Sequence, residues 1–211
     1  NNGLLYALIA LGYTLVYGII ELINFAHGDL FMLGAVFSFA VLTEALGATG
    51  PSATNYALLL VVLLLTMLFC AFINVSIERL AYRRLRNAPR LAPLITAVGM
   101  SFVLQWIGLK WIGSNPVNVN TVLPSTDFEV GGIIIAIKTL IIFAVTIPLL
   151  IVLAYIVNKT RRGRAMRATA QDKDASRLMG IDVNQTITFT FAIAGAAAGA
   201  AGLMWAQTTG T

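Results

Sequence analysis

Long apolar stretches recur along the chain, at 3–20, 30–46, 56–77, 91–112, 131–157 and 188–211, each bounded by polar residues or turn formers. Each is near the roughly 20 residues needed to cross a hydrocarbon core. The pattern predicts an all-α polytopic bundle of about six spans, a single membrane domain covering 1–211, with no room between stretches for a soluble domain of ordinary size. From Ser114-Asn115-Pro116 through Asp127 the chain is rich in Asn, Ser, Thr and Pro, and this turn chemistry predicts a loop. The long run 131–157 contains Pro148, which removes one backbone hydrogen bond, so a tilt or kink is expected there. Lys138 can snorkel outward from that run. In the last stretch nearly every residue is small. Gly195 and Gly199 have the small-xxx-small spacing, which predicts close helix approach within the chain.

Polar positions interrupt the first stretch in a pattern of their own. Tyr6, Tyr13, Tyr17, Glu21 and Asn24 fall within about 80° of one another on a helical wheel. Lipid does not host such a face, because intramembrane polar groups turn toward protein or a watery cavity. Interfacial anchoring accounts for Tyr6 alone. The face runs into Glu21-Leu-Ile-Asn24-Phe25-Ala-His27-Gly28-Asp29, the densest polar cluster, which holds the only histidine. Gly28 permits a non-helical turn and Asp29 fits the N-cap of the next helix, which predicts a discontinuous helix. Two readings stand at this point. A break at membrane depth frees backbone groups to hold a polar ligand, with a positive helix N-terminus suited to a carboxylate. Alternatively, Asn24 to Asp29 is a cytoplasmic turn between antiparallel spans.

Composition supports the membrane assignment, since 58% of residues are hydrophobic and 11% charged, against about 45–50% and 25% in soluble domains. The net charge of +5 invites a nucleic-acid reading, which the placement of the charges excludes. Twelve of the 14 Lys and Arg lie in 79–90 and 159–177, while the connections at 45–55 and 114–130 have none. By the positive-inside bias the two basic loops are cytoplasmic and the other two external. The single Cys70 lies in an apolar run and reads as packing. The start, Asn1-Asn2-Gly3, lacks a basic n-region, so no signal peptide is expected. One histidine and scattered carboxylates give no metal site, no cofactor is expected, and no nucleophile–base spacing is evident. No G-x-x-x-x-G-K-[ST] phosphate loop is present, so a nucleotide-driven step would need another chain.

The second basic loop, 158–187, is too long for a connector. Arg164 to Met179 are good helix formers, Gly180 fits the C′ stop, and Asp182 with Gln185 resembles a capping box for the next span. Ala168, Ala175, Leu178 and Met179 give this surface helix a modest apolar face suited to a partner's groove. The alternative is a helix lying on anionic lipid, against which Asp172 and Asp174 argue.

Several of these segments carry a family likeness. Tyr6-Ala-Leu-Ile-Ala-Leu-Gly-Tyr13-Thr-Leu-Val-Tyr17-Gly, Asn24-Phe-Ala-His-Gly28, Ile77-Glu-Arg-Leu-Ala-Tyr-Arg83 and Gly163-Arg-Ala-Met-Arg resemble the permease subunits of branched-chain amino acid ABC transporters. The resemblance covers essentially the whole chain. It implies import across the bacterial inner membrane by two homologous permeases, two ATPase subunits and a periplasmic binding protein. It also implies that the loop helix carrying Ala170, Asp172, Ala175, Leu178 and Gly180 is a coupling helix docked on the ATPase. The expected substrate pathway is Tyr13, Tyr17, Glu21, Asn24, Phe25, His27 and Gly28. Urea and short-chain amide permeases share the same motifs, and a gated channel or passive facilitator would keep the polar face without needing a coupling helix. Family members continue into several further spans with a Gly-rich motif absent here, so the chain is expected to be a fragment.

Overall fold

A computed structural model describes all residues except 1, 22–23, 48–49, 51, 86–87, 90, 114–121, 124–126, 131–132 and 210–211. The elements in chain order are α1 (Asn2–Ile20), α2 (Ala26–Phe39, continued by a π-helical turn Ala40–Ala45) and α3 (Ala53–Ile77). The last of these is extended by a π turn Glu78–Tyr82 and a 3₁₀ turn Arg83–Leu85. There follow α4 (Leu91–Ile112), strands β1 (Asp127–Val130) and β2 (Ile133–Ala136), α5 (Ile137–Lys159), α6 (Arg161–Gln171), α7 (Lys173–Leu178) and α8 (Val183–Thr209). Among the described residues five helices are long and apolar enough to span a membrane, and α1 contributes a shorter apolar helix. The chain is a multi-pass membrane bundle.

Helix α8 is its axis. About four fifths of its apolar window is buried, by side chains so small that neighbouring backbones reach it. A Cβ on Gly195 would lie 2.6 Å from the Cys70 carbonyl oxygen, one on Gly199 2.7 Å from that of Thr66, and one on Gly202 would overlap that of Phe31. The first two glycines seat α3 and the third seats α2, so the small-residue spacing serves packing within the chain. Helix α1 lies along another side, with Tyr6 against Trp205 and Gly12 against the Ala194 carbonyl. Helix α4 joins through α2, where Phe37 stacks on Phe69 at 4.2 Å and Trp111 meets both rings edge-on. Most of α5 faces outward.

The core divides along α8. Val16, Ile19, Tyr82, Met166, Val183 and Phe191 belong to one cluster, at the end where Arg79, Arg83 and the α5–α6 connection lie. Leu5, Leu8, Leu42, Leu63, Val122 and Met204 belong to the other. At that second end the Gln207 side-chain oxygen accepts from the Val122 backbone N–H at 2.9 Å, pinning the α4–α5 connection over the tip of α8.

Several boundaries differ from the sequence reading, among them the last span, which begins at Val183 rather than 188. The fifth span starts at Ile137 rather than 131, because Ile133–Ala136 pairs antiparallel with Asp127–Val130 in a small hairpin beside the all-α bundle. Consecutive isoleucines favour strand where a turn can bring a partner alongside. From Ile137 the helix runs uninterrupted through Pro148 to Lys159. The second span starts at Ala26, so Gly28 and Asp29 lie inside α2, and Asp29 is not its N-cap; Phe25 takes that place without a side-chain bond. Asp29 instead lies in the first turn, where its charge suits the helix dipole. The surface helix expected from Arg164 to Met179 is two helices, because Asp172 is extended and its Oδ1 accepts from the N–H groups of Asp174 and Ala175, capping α7 anew. Most of the loop expected from 114 to 127 lies outside the described residues.

Candidate functional site

The interruption between α1 and α2 organises the polar groups. Helix α1 ends at Ile20, and the next residue, Glu21, takes φ 61° and donates its N–H to the Tyr17 carbonyl at 2.8 Å. That left-handed geometry at a helix C′ position favours glycine and costs a β-carbon residue about 1 kcal/mol. Beyond it the chain doubles back, and His27 comes to rest beside Gly12, near the middle of α1. A Cβ on Gly12 would stand 2.5 Å from the imidazole, so only glycine admits the ring at this crossing. Tyr13 meets the His27 ring edge-on at 4.6 Å, and its hydroxyl lies over Gly28. His27 is fully buried and neither ring nitrogen has a hydrogen bond among the described residues; the Ile9 carbonyl lies near without completing one.

Asn24 joins this return to α3. Its side-chain oxygen accepts from the Tyr82 hydroxyl at 3.0 Å, and its amide donates to the Asn74 side-chain oxygen at 3.4 Å. The Asn74 amide in turn donates to the Phe191 carbonyl at 2.7 Å. One turn further along α3, Glu78 accepts from the Thr188 hydroxyl at 2.8 Å. Asn24, Asn74, Glu78 and Tyr82 are all buried. They form a polar column linking the α1–α2 return, α3 and α8, and the π turn serves it. Its i→i+5 bonding advances fewer degrees per residue, which keeps Tyr82 over Asn74 and Glu78 instead of letting it drift off the face. Burying such groups in an apolar bundle is costly unless they pair, and these do.

The residues expected on one face of α1 separate. The helix stops before Glu21, so Glu21 and Asn24 do not continue the wheel of Tyr6, Tyr13 and Tyr17. Tyr6 and Tyr17 are 56% and 55% exposed, on the open side of α1 with Thr14, Gly18 and Glu21. Phe25 is 43% exposed, while Asn24 and His27 point inward. Asn74, Glu78 and Tyr82 lie outside the residues that the sequence pattern marks for the site; Asn and Glu four apart in an otherwise apolar span are the one signal it holds for them. Asp29 takes a hydrogen bond from Gln105 of α4 at 3.1 Å, a second pairing the sequence reading did not anticipate. Among the described residues no group of three or more His, Cys, Asp or Glu is placed to hold a metal.

The other candidate element is α6–α7. Helix α6 is wedged among α1, α5 and α8. A Cβ on Gly163 would overlap the Val157 carbonyl, the Thr160 hydroxyl accepts from the Gly163 N–H at 3.0 Å, and Arg167 donates to the Val157 carbonyl. Helix α7 projects from it and ends in a Schellman motif, with Ile181 N–H on the Ser176 carbonyl and Gly180 N–H on that of Arg177, Gly180 at φ 80°. Asp182 then accepts from the Gln185 N–H at 3.0 Å and opens α8. Leu178 and Met179 at the α7 tip are 89% and 83% exposed. Ala175, Asp172 and Gly180 are exposed beside them, and Ala170 is half-buried against the bundle.

These features define a polytopic membrane protein with a buried polar column and a helical projection, capped at both ends, at its basic end. Comparison with known proteins gives the particular family. A family model described as branched-chain amino acid transport system / permease component matches residues 1–211. The chain is 38% identical over 206 residues to the high-affinity branched-chain amino acid transport system permease protein BraD of Pseudomonas aeruginosa. It is 37% identical over 213 residues to LivH of Escherichia coli K12, whose name carries the same description. A probable branched-chain amino acid transport permease protein of Methanocaldococcus jannaschii is 28% identical over 200 residues. These matches cover 96%, 97% and 94% of this chain and 66%, 67% and 61% of the relatives. The chain thus spans about two thirds of the length of the first two. No solved structure matches it. The chain belongs to the family of branched-chain amino acid transport permease components.

Proposed function

We propose that this chain is the membrane-spanning part of an ATP-driven ABC importer that carries branched-chain amino acids across the bacterial inner membrane. Its partners are separate ATPase subunits, a second homologous permease and a periplasmic binding protein. The observation that carries the reading is α7, an exposed apolar tip held by two caps on a helix wedged among three others. In a chain with no nucleotide motif, binding of nucleotide elsewhere must favour one membrane conformation over another, and a docked rigid element transmits that difference. The contact is made by Asp172, Ala175, Leu178 and Gly180, with Ala170 at its root. Substituting Leu178→Glu is expected to leave the bundle's melting temperature unchanged and to lower ATP hydrolysis stimulated by liganded binding protein about tenfold, measured on the assembled complex in lipid. Wild-type stimulation in that variant would remove the coupling role from α7 and leave it a helix lying on the lipid surface.

The basic end faces the cytoplasm in this reading. Cysteines placed at Thr54 and Asp174, both exposed and at opposite ends of the bundle, are expected to differ. An impermeant maleimide added to intact spheroplasts labels Thr54→Cys and spares Asp174→Cys, and the reverse pattern inverts the topology. Native Cys70 is buried and gives no background.

The substrate path runs along Tyr13, Tyr17, Glu21, Asn24, Phe25, His27 and Gly28, the open side of α1 and the return into α2. Glu21→Gly separates backbone from side chain. Relief of the left-handed strain is expected to hold or raise stability by up to about 1 kcal/mol, while leucine uptake falls because the carboxylate is gone. Unchanged uptake would remove Glu21 from the path. Leucine, urea and acetamide uptake measured side by side distinguishes the amino-acid reading from an amide permease.

A further inference from the structure

A cavity of about 730 Å³ lies beside the polar column, with Thr188 on its lining, between the end of α3, the start of α6 and the first turns of α8. Arg79 and Arg83 line it from the extension of α3 and Arg162 lines it from α6. The Arg162 guanidinium sits over the Phe189 ring, 4.5 Å from its centroid, and is thereby held at the rim. None of the three arginines makes an ion pair with a described carboxylate. The one acidic residue on the lining, Asp182, has an oxygen engaged by the Gln185 N–H. The lining therefore carries three cations against one carboxylate.

Polarity changes with depth. Helix α3 runs toward the basic end and α8 runs away from it, so Val75 and Ala192 lie deeper in the bundle than Arg79 and Asp182. The deep end is apolar and the outer end cationic. A soluble anion would use only the outer end. A molecule with an anionic head and an apolar body uses both, and a membrane supplies one at this depth.

We propose that this cavity holds the phosphate headgroup of an anionic phospholipid, with Arg79, Arg83 and Arg162 around the phosphate and the acyl chains leaving over Val75 and Ala192. Because the cavity touches α3, α6 and α8 together, a seated lipid ties the mount of α7 to the core of the bundle.

The test uses the purified protein in nanodiscs of phosphatidylcholine containing a minor fraction of phosphatidylglycerol, with retained lipids counted by native mass spectrometry and affinities taken from phosphatidylglycerol titration. Wild type is expected to retain phosphatidylglycerol selectively. Each Arg→Gln change at 79, 83 or 162 weakens binding about fivefold, and the triple variant about a hundredfold. Arg164→Gln, an exposed arginine of α6 outside the cavity, leaves it unchanged. Melting temperatures in zwitterionic micelles report folding, and the single variants carry the test should the triple variant fail to fold. Equal retention of both lipids, or undiminished binding in the folded variants, overturns the proposal. Displacement of the lipid by millimolar sodium phosphate also overturns it, by assigning the rim to a soluble anion.

Discussion

Replacing Gly199 by leucine is expected to leave no folded bundle in mild detergent. At this residue α8 is clasped from two sides. Its absent Cβ would meet the Thr66 carbonyl oxygen at 2.7 Å and the Cys70 side chain at 3.0 Å, and the neighbouring Gly34 of α2 would put its own Cβ 3.0 Å from the Gly199 Cα. Obstacles of backbone do not move aside as a flexible side chain does, so a larger residue must separate α8 from α3 along their shared length. Overpacking costs about 1–3 kcal/mol and more where relaxation is blocked. In lipid the loss is not offset elsewhere, since helices there are held by van der Waals fit rather than by escape from water. Gly99 provides the control, because nothing lies within 4 Å of its Cβ position on the outward face of α4. Gly99→Leu should melt with the wild type by size-exclusion thermal stability, while Gly199→Leu aggregates or elutes misfolded. A Gly199→Leu protein melting within a few degrees of wild type would mean that α8 is not the packing axis.

The second large effect is expected at Asn24. Leucine there strips the Tyr82 hydroxyl of its acceptor and the Asn74 oxygen of its donor, both in buried surroundings. Each orphaned group costs about 1–3 kcal/mol, so the variant should melt several degrees lower. Uptake should fall to background in assembled complexes, because the return from α1 into α2 loses its anchor to α3. Tyr82→Phe distinguishes a transport role from stiffness. It removes one bond of the same column, costs about 1 kcal/mol, and should retain most uptake. Normal uptake by Asn24→Leu would sink the assignment, and equal loss in Tyr82→Phe would mark the whole column as structural.

The apolar runs made the spans legible because a hydrocarbon core imposes one length on any helix that crosses it. Hence 91–112 coincides with α4 to the residue. The packing role of Gly195 and Gly199 was legible for a related reason, as few causes other than close helix approach collect small residues at that spacing. The return at Glu21 was not. It rests on a left-handed glutamate where local preference points to Gly28, and tertiary contacts of His27 with Gly12 and of Asn24 with Asn74 override that preference. A wheel drawn through Asn24 therefore aligned residues that no single helix carries. The split at Asp172 was hidden by equal helix propensity on both sides, since a cap is a matter of where one side chain turns. Asn74, Glu78 and Tyr82 could be read only as polar letters in an apolar span, because the π turn that aligns them leaves no periodic signature.

The clasp of α8 also constrains the order of events during synthesis. Gly34 leaves the ribosome about 165 residues ahead of Gly199, an interval of roughly ten to thirty seconds at ordinary elongation rates. For that time α2 and α3 sit in the bilayer with the groove that will receive α8 unfilled, and their close-packing surfaces meet lipid or whatever chaperone attends nascent spans. A slow codon cluster before Val183 would lengthen the exposure, and a bulky substitution in α8 would make it permanent. The small-sided helix that fills this groove is thus also a checkpoint at which a quality-control protease can tell a filled groove from an open one.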